Sequence, residues 1–363
     1  MSAELEVIVD VVVRRTIELA QVPAPTGAEA ERAALVRSWW EADGHADVRI
    51  DDVGNVWACA RDGLGPAIVL CAHLDTVFGP DVPHAVRTDD GVLRGPSVGD
   101  DSVGVAALSA AASLLGPGSM PVWLLATVGE EGLGNLRGAT LALETSAADV
   151  GAFVAVEGNY LGRVSTTGVG SRRRRVYVRG PGGHAWEAAE TPSAIHRTAE
   201  LVVQIAAIPR PVGTSVNVGR IGGGEGINMR AREAWFEVDL RADDPAALEA
   251  LGRSLETILA AAQEPLRIEQ EVLGDRPAGH LDPAHALVRA ATEALAEAKI
   301  DVAFPATSTD ANAAHARGIP AVAIGITTGS GEHTPQEWID VDPIEQGVHA
   351  LARTVERYEE RCR

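Results

Sequence analysis

Apolar and polar positions divide the chain into three parts with different rhythms. In the first part, segments with helical periodicity alternate with short apolar runs. The runs 66–76, 121–132 and 152–159 are continuous rather than alternating, which is typical of strands buried on both faces. Helical periodicity covers residues 7–21, 29–44, 102–116 and 136–147. This β–α alternation predicts an α/β fold with a mostly parallel sheet flanked by helices.

The order of the elements changes near residue 171. In chain order, the patterns indicate a strand (172–182), a helix (191–208), two strands (214–224 and 231–243), a helix (244–263) and a strand (266–277). The order βαββαβ is the signature of a ferredoxin-like unit. Within it, Thr191 and Pro192 are predicted to cap and begin the first helix.

The first rhythm returns near the end of the chain, with a helix at 282–300, a strand at 319–329 and a helix at 344–361. The prediction is therefore one α/β domain interrupted by a smaller one. Residues 1–170 and 281–363 form the larger domain, and residues 171–280 form the insertion.

Histidine and acidic residues stand where the first buried run ends. His73 and Asp75 are two positions apart, so in an extended strand both side chains lie on one face. A carboxylate beside a metal-ligating imidazole can fix its tautomer and raise its basicity. Taken alone, the pair is also typical of two solvated residues at a strand end.

Glutamates end the next two buried runs. Glu130 and Glu131 lie at the end of the run 121–132, and Glu157 lies near the end of the run 152–159. Open α/β sheets bind their ligands at the carboxyl ends of the strands. Neighbouring residues in extended chain point opposite ways, so one glutamate of the pair can ligate a metal while the other faces an attacking water. A surface turn would also explain Glu157.

Two loops contribute further candidates. Asp100 and Asp101 are adjacent in a glycine-rich loop before the helix at 102–116. Asp101 or Ser102 could serve as a helix cap, but adjacent acids repel each other and a nearby cation would relieve that repulsion. His333 lies in the small-residue loop TTGSGEHT, where an ordinary loop histidine is the alternative.

Taken together, one aspartate, two glutamates and two histidines fit a site in which Asp100 bridges two divalent ions. Each ion would then take one histidine and one glutamate as well. Two divalent ions lower the pKa of water and polarise a carbonyl, so this set predicts a two-metal hydrolase. Nitrogen and oxygen ligands without a thiolate favour Zn²⁺, with Mn²⁺ or Co²⁺ as alternatives.

The amino-acid composition indicates which binding partners and which cellular location to expect. The formal net charge of −20 argues against nucleic acid and against an anionic membrane surface, since both select basic patches. Three cysteines without regular spacing do not suggest a disulfide framework, so we expect a cytoplasmic location. No apolar run reaches the roughly 18–20 residues of a membrane span.

The motifs CAHLDT, GDDSVG, GEEG, FVAVEGN and GSGEHT together resemble the co-catalytic dinuclear zinc exopeptidases and deacylases. That family includes glutamate carboxypeptidase, acetylornithine deacetylase, aminoacylase and peptidase T. The resemblance covers nearly the whole chain, including the insertion. It implies five metal ligands, in which Glu157 completes the ion held by His73 and His333 completes the ion held by Glu131: His73, Asp100, Glu131, Glu157 and His333.

The resemblance also implies roles beyond the ligands. Glu130 would be the general base that activates a metal-bridging water, and Asp75 would support His73. The peptide bond between Asp100 and Asp101 would be cis. The segment GGHAW matches a histidine of the inserted domain, here His184, which in dimeric relatives reaches the partner subunit's active site. We therefore expect a homodimer formed through the insertion, which would act as a lid or dimerisation domain.

Further matching positions implied to bind substrate are Asn228, Arg241, Gly329, Ser330 and Gly331. The resemblance predicts a metallopeptidase or amidohydrolase that cleaves an amide bond of a small peptide or an N-acyl amino acid. The segments GDRPAG and STDAN are closest to peptidase T, whereas Glu157 is typical of deacylases and carboxypeptidases. Tripeptide aminopeptidase and deacylase or carboxypeptidase therefore both stay open. The alternative outside catalysis is a binding or regulatory protein on the same scaffold.

Overall fold

A computed structural model of the chain describes residues 3–145 and 149–363. The chain divides into two compact units, a larger one of Met1–Gly168 with His280–Arg363 and a smaller one of Val169–Gly279. The α-helices of the described residues are α1 (Ala3–Ala20), α2 (Ala30–Ala42), α3 (Val103–Ser113), α4 (Arg137–Thr145), α5 (Ala194–Ala206), α6 (Pro245–Ala261), α7 (Ala286–Glu297), α8 (Ala311–Ala316) and α9 (Ile344–Cys362).

Many of the strands are short. The strands of the described residues are β1 (Ala46–Ile50), β2 (Val56–Arg61), β3 (Ala67–His73), β4 (Arg87–Asp89), β5 (Val92–Arg94), β6 (Val122–Thr127), β7 (Val150–Glu157), β8 (Val164–Ser165), β9 (Thr167–Gly168), β10 (Gly170–Arg179), β11 (Gly183–His184), β12 (Thr214–Gly223), β13 (Met229–Arg230), β14 (Glu233–Ala242), β15 (Arg267–Arg276), β16 (Gly279–His280), β17 (Ala306–Thr307), β18 (Ala321–Gly325), β19 (Gly329–Ser330) and β20 (Trp338–Asp340).

A seven-stranded sheet forms the centre of the larger unit, in the order β1-β2-β6-β3-β7-β18-β8. The four strands β6, β3, β7 and β18 are parallel to their neighbours. The outer pairs, β1 with β2, β2 with β6 and β18 with β8, are antiparallel. The predicted α/β fold is confirmed, and the parallel character is concentrated in the central strands.

Burial on both faces explains the continuous apolar runs. Every residue of β3 is buried. Ile68 and Leu70 pack into one apolar core, whereas Val69 and Cys71 pack into another on the opposite face. Because successive side chains of a strand point to opposite faces, a strand between two helical layers needs apolar residues at every position.

Two parts of the larger unit were not predicted. The strands β19-β20-β5-β4 form a four-stranded sheet of their own, and β1 adds an edge to the central sheet. The residues of β4 are all exposed, and β5 is only three residues long, so neither carries an apolar signal. The two-residue strands β16, β9 and β17 form a further small sheet.

The smaller unit contains a four-stranded antiparallel sheet in the order β12-β14-β10-β15. With α5 and α6 it has the predicted βαββαβ order, and Val176, Phe236 and Leu255 belong to its apolar core. Many of the charged strand residues pair with each other, as Arg175 does with Glu237 at 2.5 Å. The basic run at 172–175 therefore includes side chains that are neutralised within the unit.

The predicted cap of the first helix in this unit is wrong. Ser193, in extended conformation, precedes α5, and its side chain makes no capping hydrogen bond. The backbone N–H of Ala194 instead donates to the carbonyl of Ala231 at 3.0 Å. A tertiary contact thus takes the place of the side-chain cap predicted for Thr191.

The helix predicted at 136–147 is observed as α4, and its last two positions lie outside the described residues. Over the described parts of the chain, no helix has both the length and the apolar character needed to cross a membrane.

Candidate metal centre

The predicted ligands lie where parallel strands end at one edge of the central sheet. β3 ends at His73 and β7 ends at Glu157, and both strands run parallel to their neighbours. β6 ends at Thr127, three residues before Glu130. Since carboxyl ends of parallel strands meet at the same edge, residues far apart in sequence converge there.

Asp100 lies between two imidazoles. Its Oδ1 is 2.9 Å from Nε2 of His73, and its Oδ2 is 3.1 Å from Nε2 of His333. Each carboxylate oxygen therefore faces a different histidine, which is the arrangement that a bridging ligand requires. The peptide bond from Asp100 to Asp101 is cis, as the resemblance implied.

Two groups of side chains with ligating atoms within 4.8 Å of one another share Asp100. One contains His73, Asp100 and Glu157, and the other contains Asp100, Glu131 and His333. Nε2 of His333 also lies 3.0 Å from Oε1 of Glu131. The chemistry of this set, two imidazoles and three carboxylates without a thiolate, fits a pair of divalent cations.

A third group of ligating atoms, also within 4.8 Å of one another, contains His73, Glu130 and Glu131. Glu130 is buried, at 6% exposed. Glu130 thus lies close to His73 of the first group and to Glu131 of the second group, but it belongs to neither of the two groups that share Asp100.

The carboxyl groups of the cluster are crowded and buried. Burial, followed by the charge of Asp101, raises the pKa of Glu157 well above its ordinary value. Burial likewise raises the pKa of Asp101, and the charge of Asp100 adds to the effect. Buried negative charges that repel one another are stabilised by bound cations, so this crowding is a second reason why divalent ions fit.

The two histidines partly neutralise the cluster. Burial lowers the pKa of His73, but hydrogen bonds to Asp100 and Asp75 outweigh it and hold the pKa well above its ordinary value. Hydrogen bonds to Asp100 and Glu131 raise the pKa of His333 to about 10. Burial opposes ionisation of Asp100, yet its bonds to both histidines lower its pKa.

Asp75 organises two parts of the cluster at once. Its Oδ1 accepts the backbone N–H of Glu130 and its Oδ2 accepts that of Glu131, both at 2.9 Å. Thr26 Oγ1 also donates to Oδ2, at 2.8 Å. Nδ1 of His73 lies 2.9 Å from the backbone oxygen of Asp75 and 3.6 Å from its carboxylate. Because that backbone oxygen only accepts, Nδ1 carries hydrogen and Nε2 faces the cluster.

Asp101 has a structural role that the sequence did not reveal. It is fully buried, and its carboxylate accepts the backbone N–H of His73 at 3.2 Å and that of Gly158 at 2.9 Å. It does not cap α3, because Ser102 occupies the capping position. Asp101 therefore ties the end of β3 to the loop after β7.

Close packing of two loops brings Glu157 to the cluster. A Cβ atom added to Gly158 would lie 2.0 Å from the backbone oxygen of Gly99. Only a residue without a side chain allows the loop after Glu157 to approach the loop before Asp100 so closely.

Two buried charged residues hold the same loop from behind, and neither was predicted. Both oxygens of Glu337 accept backbone N–H groups, from Ser97 at 2.9 Å, from Gly99 at 2.8 Å and from Asp100 at 2.7 Å. Arg32 donates to Ser97 Oγ at 2.8 Å and to the Leu74 carbonyl at 3.1 Å. An arginine on the apolar face of the helix at 29–44 was the available signal for this role.

Some of the residues that the resemblance implies for substrate contact belong to the larger unit, and the others belong to the smaller unit. Ser330 pairs with Trp338 across β19 and β20, and a Cβ on Gly329 would lie 2.3 Å from the backbone oxygen of Trp338. Gly331 has a φ of +85° in the loop that leads to His333, a conformation that favours glycine.

His184, Asn228 and Arg241 belong to the smaller unit. The backbone oxygen of Asn228 accepts the N–H of Ala185 at 2.8 Å, so Asn228 and His184 are neighbours. Arg241 donates to Asp239 at 2.9 Å. The roles of these three residues toward the metal centre stay predictions.

A model of the family described as Peptidase family M20/M25/M40 matches residues 69–357. A [LysW]-lysine hydrolase of Deinococcus radiodurans is 26% identical over 355 residues, which cover 93% of this chain and 94% of that protein. A putative [LysW]-lysine/[LysW]-ornithine hydrolase of Thermococcus kodakarensis is 42% identical over 78 residues, only 22% of this chain and 21% of that protein.

Solved structures show the same fold. A tripeptidase from Staphylococcus aureus has a TM-score of 0.81 at 21% identity, covering 97% of this chain and 99% of its own. The aminopeptidase PepT from Bacillus cereus has a TM-score of 0.80 at 22% identity, covering 96% and 98%. A dinuclear metal-binding peptidase from Bacillus subtilis has a TM-score of 0.69 at 18% identity, covering 96% and 99%.

Proposed function

Because the chain belongs to peptidase family M20/M25/M40 and is a peptidase or amidohydrolase acting on amide bonds, we propose that it is a dinuclear metal-dependent hydrolase of small peptides or N-acyl amino acids. The observation that carries this proposal is the pair of ligand groups that share Asp100. His73 and Glu157 would hold one ion with Asp100, and Glu131 and His333 would hold the other.

The ions, of which Zn²⁺ is the best match to the ligands, would lower the pKa of water and polarise the substrate carbonyl when bound. Glu130 takes a proton from the attacking water at its carboxylate and then returns it to the leaving amine. Its backbone is held by Asp75 at 2.9 Å, so the base is positioned by a residue that also orients His73. A positioned base of this kind contributes roughly 10²–10⁴ to the rate.

The names of two relatives support a substrate class that includes peptides and acylated amino acids. The Staphylococcus aureus structure is named a tripeptidase and the Deinococcus radiodurans relative a [LysW]-lysine hydrolase. Both names describe hydrolysis, and the proposal for this chain includes peptides as well as acylated amino acids. His184, Asn228, Arg241 and the loop 329–331 are proposed to contact the substrate, with His184 acting on the partner subunit of a homodimer.

A substrate panel tests the proposal. The panel contains dipeptides, tripeptides and N-acyl amino acids, including acylated lysine, and is assayed by amine release with protein as purified, after chelation and after re-addition of Zn²⁺, Mn²⁺ or Co²⁺. We expect hydrolysis that disappears on chelation and returns with metal. Metal-loaded protein that hydrolyses no member of the panel would contradict the proposal.

A further inference from the structure

A cavity in the larger unit is lined in part by residues that are close in sequence to two proposed metal ligands. Its volume is about 540 Å³, and its lining includes Pro83, Arg87, Arg94, Pro96, Pro335 and Gln336. Pro96 belongs to the loop that leads to Asp100, and Pro335 follows His333 by two residues. Two segments that carry proposed metal ligands therefore also form walls of the cavity.

Two arginines face each other across this cavity wall. Arg87 of β4 and Arg94 of β5 are direct partners in the antiparallel pair. Like charges at directly opposite positions destabilise a pair of strands. In the part of the chain that the structure describes, neither guanidinium forms an ion pair, although Arg94 lies 5.6 Å from the ring centre of Trp338.

Many arginines elsewhere on this chain pair with carboxylates, as Arg175 does with Glu237 and Arg61 with Glu359, whereas Arg87 and Arg94 are exposed at the cavity. The chain also carries a formal net charge of −20. Two arginines that are held opposite each other without a carboxylate, at a cavity of ligand size, therefore point to an anion that comes from outside the chain.

We infer that Arg87 and Arg94 bind a carboxylate of the substrate and so select acidic peptides or acidic N-acyl amino acids. This inference rests on the proposed function, because it places the scissile amide at the metal centre and the acidic group in the cavity. A guanidinium offers N–H groups in a fork that matches the two oxygens of a carboxylate. Arg94 lies over the ring of Trp338, and a guanidinium that packs on an aromatic ring through its face keeps its N–H groups at the edge.

The kinetic test compares matched substrates on the metal-loaded enzyme. For each substrate that the enzyme hydrolyses, two versions are prepared. One version carries glutamate and the other carries glutamine at a position that does not form part of the scissile bond. In R87Q and R87Q/R94Q, we expect kcat/KM for the glutamate version to fall roughly 10- to 100-fold, the range for losing hydrogen bonds to a charged group. The glutamine version should change by no more than about twofold.

R49Q is the matched control. Arg49 is also exposed and stacks on tryptophan rings, Trp57 and Trp123, but does not line the cavity. It should leave the preference for glutamate over glutamine unchanged. Equal losses for both substrate versions in R87Q would overturn the inference. R87Q alone removes a side chain without a hydrogen bond or ion pair among the described residues, so loss of folding does not confuse this result.

A binding measurement separates this inference from the proposed function. Glutarate is titrated calorimetrically into metal-loaded wild type, R49Q and R87Q/R94Q. Wild type and R49Q should bind it roughly 10- to 100-fold more tightly than the double variant. If no amide substrate is hydrolysed, the proposed function is refuted, and the glutarate titration still shows whether Arg87 and Arg94 bind a carboxylate in the cavity. Absence of binding to wild type, or equal affinity in all three proteins, would refute the acidic subsite.

Discussion

The carboxylate of Glu337 accepts the backbone N–H of Asp100 at 2.7 Å, although the two residues are 237 positions apart. Glu337 is completely buried and follows His333 by four residues. One loop thus contributes a proposed ligand and also holds the loop that contributes the bridging carboxylate. The geometry of the candidate metal centre depends on this connection.

Replacing Glu337 with glutamine should therefore weaken metal binding. Glutamine keeps one acceptor oxygen but turns an amide NH₂ toward backbone donors, so at least one buried N–H loses its partner. We expect the free energy of unfolding to fall by about 1–3 kcal/mol and metal affinity to fall roughly 10- to 100-fold. Competition with a chromophoric chelator measures the affinity, and urea denaturation measures the stability.

E332Q is the control for that experiment, because Glu332 lies in the same loop but bonds to Nδ2 of Asn159 at 2.8 Å. It makes the same change of charge without touching the loop of Asp100. Similar metal affinities in E337Q and wild type would show that Glu337 does not position Asp100.

E130Q should abolish most of the activity while the metals stay bound. The five proposed ligands remain, but glutamine does not accept a proton from water. We expect kcat to fall roughly 10²- to 10⁴-fold. Metal content by atomic emission, measured on the same samples, should match that of wild type. Near-normal turnover with both metals present would remove Glu130 from the role of base.

Complementation between two inactive variants tests whether His184 acts across a dimer. In a dimer of one E130Q subunit and one H184A subunit, one active site has an intact Glu130 and faces the intact His184 of the partner subunit. If His184 acts in trans, random mixing should restore about a quarter of wild-type activity in this two-fold arrangement. Action within one subunit predicts no restoration. Sizing the mixture by light scattering shows whether dimers form at all.

Glu359 should make the stability of the fold depend on pH in acid. Burial opposes its ionisation, but N–H groups of Ser119 and Met120 and the charge of Arg61 lower its pKa to about 2. The folded state thus binds this proton less readily than the unfolded chain does. The stabilisation is complete above about pH 4.5 and is lost as the pH falls toward 2, and it amounts to about 3 kcal/mol.

Urea denaturation of wild type and E359Q at pH 7 and pH 3 checks this prediction. The variant should be less stable at pH 7, and the difference should shrink at pH 3. E360Q serves as the control, because Glu360 forms an exposed pair with Arg357 on the same helix. A difference between wild type and E359Q that is the same at both pH values would contradict the assignment.

The fold class followed from the sequence because burial on two faces leaves a clear signal. A strand such as β3 is apolar at every position before His73 at its end, and the helices between such strands are periodic. The strands β4, β5, β19 and β20 left no such signal, since they are two or three residues long. The cap predicted for α5 is wrong because the first N–H group of the helix donates to the carbonyl of Ala231, which is distant in sequence. The local sequence pattern does not indicate such a contact.

The sequence by itself determined which residue types stand at the ends of the buried strands and in the loops beside them. His73, Glu131 and Glu157 could be named in this way, because polar residues at such positions interrupt an apolar pattern, and His333 lies in the small-residue loop that follows another buried strand. Only the tertiary structure decided which atoms meet: Asp100 between His73 and His333, Asp75 under both glutamates, and Asp101 and Glu337 behind the loops. Asp100 contacts two histidine side chains that only the fold brings together. The other contacts are hydrogen bonds from backbone N–H groups of distant segments, and a backbone N–H has no sequence signature.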